Sequence, residues 1–114
     1  MFQKRSEGGY TPAIPGIELK TTVYGDRTLM AEFLLKKGSV LPRHAHDHEQ
    51  TGYLVKGKMR LSIGTEEHDV MPGDRWCIPG NVEHGATIFE DSVAVEVFSP
   101  VRDDYLPQKQ GGGR

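Results

Sequence analysis

Short stretches of alternating or near-continuous apolar residues fill most of the chain, each closed by a turn signal. Ile17–Tyr24 (IELKTTVY) alternates and stops at Gly25-Asp26. Thr28–Lys36 (TLMAEFLLK) is apolar enough for a helix in isolation, but strand-like neighbours on both sides favour a strand, ended by Lys37-Gly38-Ser39. Gln50–Val55 and Lys58–Ile63 flank Lys56-Gly57, which has the composition of a hairpin connection. Glu66–Met71, Arg75–Ile78, Glu83–Phe89 and Ser92–Phe98 follow, separated by Pro72-Gly73-Asp74, Pro79-Gly80-Asn81 and Glu90-Asp91. The pattern predicts eight or nine closely spaced strands with no helical period, and so an all-β sandwich or barrel.

Composition narrows this further. A chain of 114 residues is one domain, able to hold one core and one pocket. Residues 1–13 are polar, contain Gly8-Gly9 and Pro12, and read as an N-terminal arm. Residues 14–106 carry the strand pattern, and 107–114, with three successive glycines, read as a flexible tail. Fourteen Lys and Arg against sixteen Asp and Glu leave a charge of −2, which lacks the basic stripe a nucleic-acid or membrane-surface binder needs. No apolar run reaches the roughly 18 residues of a membrane span, and no apolar stretch follows the basic residues at the start as in a secretory signal. A single cysteine, Cys77, forms no internal disulfide and fits a reducing, cytoplasmic setting.

The chemistry concentrates in histidine. His44, His46 and His48 lie in PRHAHDHEQ, and His84 follows 36 residues after His48. On a strand, residues i and i+2 share a face, so His44 and His46 present two imidazoles side by side, their Cα atoms about 6–7 Å apart. A third imidazole from another strand and one oxygen donor would complete a first set of ligands for a divalent metal. A lone H-x-H is more often a polar surface loop; the glycines and prolines around this one change the balance.

Gly38 is followed by five residues, His44-Ala45-His46, three more residues, Gln50, six residues and Gly57. Sixteen residues later Gly73 is followed by five residues, Pro79 and, five positions on, His84. In this order the two strings resemble the paired motifs of the cupin superfamily. The resemblance implies a double-stranded β-helix, the cupin jelly-roll barrel, with one divalent transition metal ion (Mn, Fe, Ni, Zn or Cu) held inside by His44, His46, Gln50 and His84. It also implies a homodimer. Two positions depart from the motifs mildly: Asn81 stands where a glycine is usual, and Ile88 replaces an asparagine. A third departure is chemical, because Gln50 occupies the place of the usual Glu, with Glu49 beside it as the other candidate. A neutral amide ligand leaves the full 2+ charge on the metal, a stronger Lewis acid suited to an anionic substrate.

The last strand adds a second cluster. In Ala94-Val95-Glu96-Val97-Phe98, Glu96 and Phe98 share a face, and Ser99-Pro100-Val101-Arg102 follows. A carboxylate in so apolar a strand faces either water or a pocket. The combination of H-x-H-x-H-E-Q with F-S-P-x-R resembles the KdgF-like pectin-degradation cupins, whose substrates are unsaturated uronate monosaccharides. The resemblance implies Glu96 as the group that moves a proton in ring-opening or tautomerisation, Arg102 as the fork for a substrate carboxylate, and Phe98 as a substrate-binding wall. The acid in that group is commonly Asp, one methylene shorter than Glu96. Rival functions for the same pocket are an Fe(II) dioxygenase and a non-catalytic small-ligand sensor.

Other residues are assigned by strand parity and residue type. Arg60, opposite in parity to Met59, Leu61 and Ile63, is a candidate substrate clamp at the barrel mouth, with a solvated outer face as the alternative. His48 is expected to be solvated, His68 to lie on the surface, Cys77 to be a buried structural thiol, Met30 and Phe33 to be core, and Tyr53 to face away from the metal.

Overall fold

The structure, a computed structural model, describes residues 1–107. The expected tail therefore lies almost wholly outside the described residues. Eight strands form one antiparallel sheet: β1 (Thr11–Ile14), β2 (Ile17–Tyr24), β3 (Leu29–Leu35), β4 (Val40–His44), β5 (Glu49–Ile63), β6 (Glu66–Val70), β7 (Arg75–Ile78) and β8 (His84–Ser99). A single 3-10 turn, Asp103–Tyr105, follows the last strand.

Two long strands fold this sheet over on itself. The C-terminal half of β8 pairs with β3 on one edge and with the first half of β5 on the other. Its N-terminal half pairs with β4 and with the second half of β5. β7 extends the first half of β5, and β6 the second half. The result is two facing layers, β1-β2-β3-β8-β5-β7 and β4-β8-β5-β6, joined through shared strands as an all-β jelly roll.

Two turns expected from the sequence are bends inside continuous strands. Lys56-Gly57 does not reverse the chain; the β5–β8 register shifts there instead. Gly57 adopts φ 105°, and a Cβ at that position would lie 2.0 Å from Ser92 Oγ, so glycine is required both by conformation and by space. Buried Ser92 completes the bend on β8: its Oγ accepts from Lys58 N–H at 3.1 Å and donates to Glu90 C=O at 2.7 Å. Glu90-Asp91, the other expected turn, lies within β8. At the N-terminus, residues 11–13 of the expected arm join Ile14 in a strand that pairs with β2 at the sheet edge, where Pro12 is tolerated.

Ile17, Leu35, Leu54, Met59, Leu61, Val70, Ala86, Ile88 and Ala94 pack between the layers. A smaller cluster of Leu29, Ala31 and Phe98 meets Phe33, Val101 and Tyr105 at the end of the barrel near the 3-10 turn. Phe33 packs against the core as expected, whereas Met30 is 37% exposed. Period-2 parity explains the difference: Ala31, Phe33 and Leu35 point inward, so Met30 points out. Cys77 is likewise exposed rather than buried, because its neighbours Trp76 and Ile78 take the inward positions. No helix of the described residues is long and apolar enough to cross a membrane.

Candidate metal centre and cavity

The space between the layers holds a cavity of about 360 Å³, within the range of small-molecule sites. Its wall carries His44, His46, Gln50, His84, Glu96, Phe98 and Arg102, seven residues singled out from the sequence. His44 ends β4 and pairs directly with His84, which opens β8. His46 lies beyond the strand, so strand parity does not place it. Its carbonyl instead accepts from Asn81 N–H at 2.7 Å, and Asn81 holds φ 67°, a conformation asparagine adopts readily and the usual glycine would also supply.

The three imidazoles converge, with ring centroids 4.3 Å apart for His44 and His84, 5.0 Å for His46 and His84, and 5.7 Å for His44 and His46. Each Nδ1 meets a backbone carbonyl: Pro42 at 2.8 Å for His44, His48 at 3.1 Å for His46, and Val82 at 2.9 Å for His84. A carbonyl can only accept, so each Nδ1 donates and, in the neutral ring, Nε2 keeps its lone pair. That tautomer leaves Nε2 free to bind a metal, with Nδ1 fixed by the backbone. One ring nitrogen from each histidine lies within 4.8 Å of the others. Burial lowers the pKa of His46 and of His84, and the Arg102 guanidinium pushes in the same direction on both, so the neutral forms prevail at neutral pH.

Gln50 faces the same space. It is 4% exposed, while Glu49 points outward to within 3.8 Å of Cys77 Sγ. Gln50 donates from Nε2 to Glu96 Oε1 at 2.6 Å, which turns its own Oε1 away from the carboxylate. That Oε1 and His46 Nε2 are both buried without a hydrogen-bond partner. Two orphaned acceptors beside two further imidazole nitrogens cost free energy unless something electron-poor satisfies them. The donor set, three imidazole nitrogens and an amide oxygen, fits a divalent transition metal.

Glu96 lines the cavity on β8 together with Phe98, so of the two settings the sequence left open, water or a pocket, it takes the pocket. Its Oε1 also accepts from Trp76 Nε1 at 3.1 Å. Trp76 reaches it because Gly52 lies between them in the ladder; a Cβ on Gly52 would come within 2.2 Å of the indole. Burial raises the Glu96 pKa to about 7 against the opposing pull of the Gln50 and Trp76 donors and of Arg102.

Arg102 follows β8 and is only 15% exposed at its side chain. Its guanidinium lies 5.1 Å from the Phe98 ring centre and 4.1 Å from that of Tyr105, and it forms a fork to Asp104 at 3.2 and 2.8 Å. Arg60 is not part of this assembly. It is half-exposed on the outer face, paired with Glu67 at 2.7 Å and Asp69 at 3.8 Å. His48 is half-buried rather than solvated, its ring 5.6 Å from that of His46, and His68 lies on the surface as expected. Sequence reasoning assigned no role to Trp76 or Tyr105. Trp76 was accessible through its inward parity; Tyr105 lies in a 3-10 turn with no periodicity to reveal it.

An antiparallel jelly roll with convergent histidines in its interior defines a cupin. The chain belongs to the cupin family: the family model described as "Cupin domain" matches residues 31–99. Within it, the chain is KdgF-like. It is 32% identical over 93 residues to the pectin degradation protein KdgF of Dickeya dadantii (strain 3937), covering 80% of this chain and 84% of that protein. The solved structure of KdgF from a Halomonas species superposes with a TM-score of 0.87 at 31% identity, covering 93% of this chain and 98% of that one. An RmlC-like cupin from Shewanella frigidimarina matches with the same TM-score at 22% identity over 93% and 96% of the two chains, a likeness of fold.

Proposed function

We propose that this cupin is a metal-dependent isomerase that opens and tautomerises unsaturated uronate monosaccharides in pectin degradation. The observation that carries this reading is the Glu96 carboxyl, set in the same cavity as the three-histidine cluster and held by two donors on one oxygen. The likeness to a protein named for pectin degradation supports the substrate class.

His44, His46, His84 and Gln50 would hold the metal, which when bound supplies a Lewis acid to polarise substrate oxygens. A 4,5-unsaturated uronate in its ring form is a hemiacetal at C1 and an enol ether at C5. Ring opening breaks the bond between C1 and the ring oxygen; the hemiacetal hydroxyl loses its proton and C1 becomes an aldehyde. The former ring oxygen becomes an enol at C5, and a proton added at C4 with loss of the enol proton leaves a ketone. Composition does not change, so the protein has only to move protons. Glu96, with a pKa near neutrality, can take a proton and return it. The fixed Oε1 leaves Oε2 for that task. Arg102 offers its remaining N–H groups to the substrate carboxylate, and Phe98 walls the cavity beside it.

The test is product analysis by NMR with an unsaturated galacturonate released by a pectate lyase. Wild-type protein is expected to convert the ring form to the open-chain keto-aldehyde, and Glu96→Gln to leave it at the uncatalysed rate. Equal rates for the two would overturn the assignment of Glu96.

The protein would act as a cytoplasmic homodimer. The outward face of the first layer is apolar along β8 (Val93, Val95, Val97) with Met30 and Tyr53 beside it. One ladder row across it reads Glu32, Val95, Tyr53, Arg75. A twofold axis between Val95 and Tyr53 would lay the Glu32 end of one copy against the Arg75 end of the other, a self-complementary match for an isologous contact.

A further inference from the structure

We infer that Tyr105 is a positioning residue that holds the Arg102 guanidinium in place to take an anionic substrate. The inference rests on the proposed role of Arg102 as the carboxylate clamp and adds what makes that clamp rigid. An arginine with a free side chain loses considerable rotamer entropy when it binds, so a clamp held in advance binds more tightly.

Three contacts hold this one. The Tyr105 ring lies over the guanidinium, 4.1 Å from ring centre to Cζ, closer than Phe98 at 5.1 Å. Tyr105 is itself wedged edge-on against Phe33, at 6.3 Å between ring centres, and Phe98, at 5.4 Å. Its carbonyl accepts a hydrogen bond from Thr21 Oγ1, which ties the 3-10 turn to β2. Asp104, on the same turn, takes the Nε and Nη2 protons of Arg102. Nη1 is left without a protein partner among the described residues, and Arg102 and Tyr105 both line the cavity. Asp104 fixes the plane of the fork but also offsets its charge. Tyr105 fixes it through the face of the ring and offsets nothing, so Tyr105 is the residue whose loss should weaken anion binding most cleanly.

The clamp touches the carboxylate in ground state and transition state alike, so disturbing it should raise KM and leave kcat nearly unchanged. The experiment is a double-mutant cycle on the metal-loaded protein: wild type, Tyr105→Ala, Arg102→Met and the double variant, with Tyr105→Phe as the conservative control. Tyr105→Ala is expected to raise KM for the unsaturated uronate about tenfold with kcat within about twofold. Tyr105→Phe, which keeps the ring, is expected to restore KM to near the wild-type value. In the Arg102→Met background Tyr105→Ala is expected to add less than about twofold. Additive effects, or a fall in kcat at unchanged KM, would overturn the inference. Should Tyr105→Ala not fold, Tyr105→Leu carries the same cycle. A wild type without turnover defeats the uronate reading alone. The cycle is then run on equilibrium binding of galacturonate and its methyl ester, followed by fluorescence of Trp76, the chain's one tryptophan. Coupling seen for the acid but not for the ester supports the inference, and no such difference, including no binding of the acid, overturns it.

Discussion

In the proposed mechanism one hydrogen bond, from Gln50 to Glu96, would join the proton chemistry to the metal site, so the length of the Glu96 side chain matters. Gln50 Nε2 and Trp76 Nε1 meet the same carboxylate oxygen. Glu96→Asp draws the carboxyl back by about one methylene and breaks both contacts. Activity on the unsaturated uronate is expected to fall about tenfold or more, and Glu96→Gln about a hundredfold or more, within the usual contribution of a general acid–base group. Steady-state rates on the purified variants check both. The raised pKa also predicts a sign. In the metal-free protein the folded state binds this proton more tightly than the unfolded chain does. Its stabilising contribution is therefore complete below pH 4.5 and disappears as the pH rises through about 7. Denaturant titrations of wild type and Glu96→Gln, compared from pH 4.5 to 8, should show wild type losing ground to the variant across that interval. The histidines, present in both, cancel. A constant difference would contradict the burial of an ionisable carboxyl. At this scale the sequence was informative where period-2 parity applied, as for Glu96 with Phe98, while the choice between Gln50 and Glu49 was left open until the structure turned Gln50 inward. The same parity also contained the exposure of Cys77 and Met30, but residue-type preference outweighed it in both expectations.

Within single elements, the bend in β5 decides whether the sheet closes. Gly57→Ala forces a side chain into left-handed backbone and drives its Cβ onto Ser92. A loss of about 2 kcal/mol or more is expected, since strain and overpacking add; urea unfolding measures it. Gly52→Ala acts differently. It displaces the Trp76 indole from Glu96, so turnover should fall by a larger factor than stability does, and a variant with normal turnover would remove Trp76 from the account. The sequence marked Lys56-Gly57 and Glu90-Asp91 as turns because glycine and acidic pairs look alike in a hairpin and in a bulge. Only the pairing partner across the sheet separates the two, and that partner is far away in the chain. For the same reason β1 was read as an arm: Pro12 and polar neighbours suit an edge strand held by backbone bonds as well as they suit a solvated segment.

For the whole molecule, the jelly roll was legible through the resemblance of two motif strings, whose glycines and prolines lie in the turns near His44, His46, Gln50 and His84. The 3-10 turn that completes the cavity had no such markers. The proposed homodimer gives a further prediction at this scale. Val95→Glu puts a charge at the centre of the proposed contact, next to the axis, where light scattering coupled to size exclusion should show a monomer while wild type runs as a dimer. A wild-type monomer at micromolar concentration would contradict the contact.

If His44, His46, His84 and Gln50 hold a metal on which turnover of unsaturated uronates depends, metal content and activity must rise and fall together. Turnover of native protein is to be followed before chelation, after chelation and after return of one metal equivalent, with metal content determined on the same samples and on His44→Ala. About one metal per chain is expected in active protein, with loss of turnover on loss of the metal, recovery on its return, and neither metal nor turnover in His44→Ala. Full turnover by metal-free protein would contradict this reading, as would a fully loaded protein that leaves the uronate unchanged.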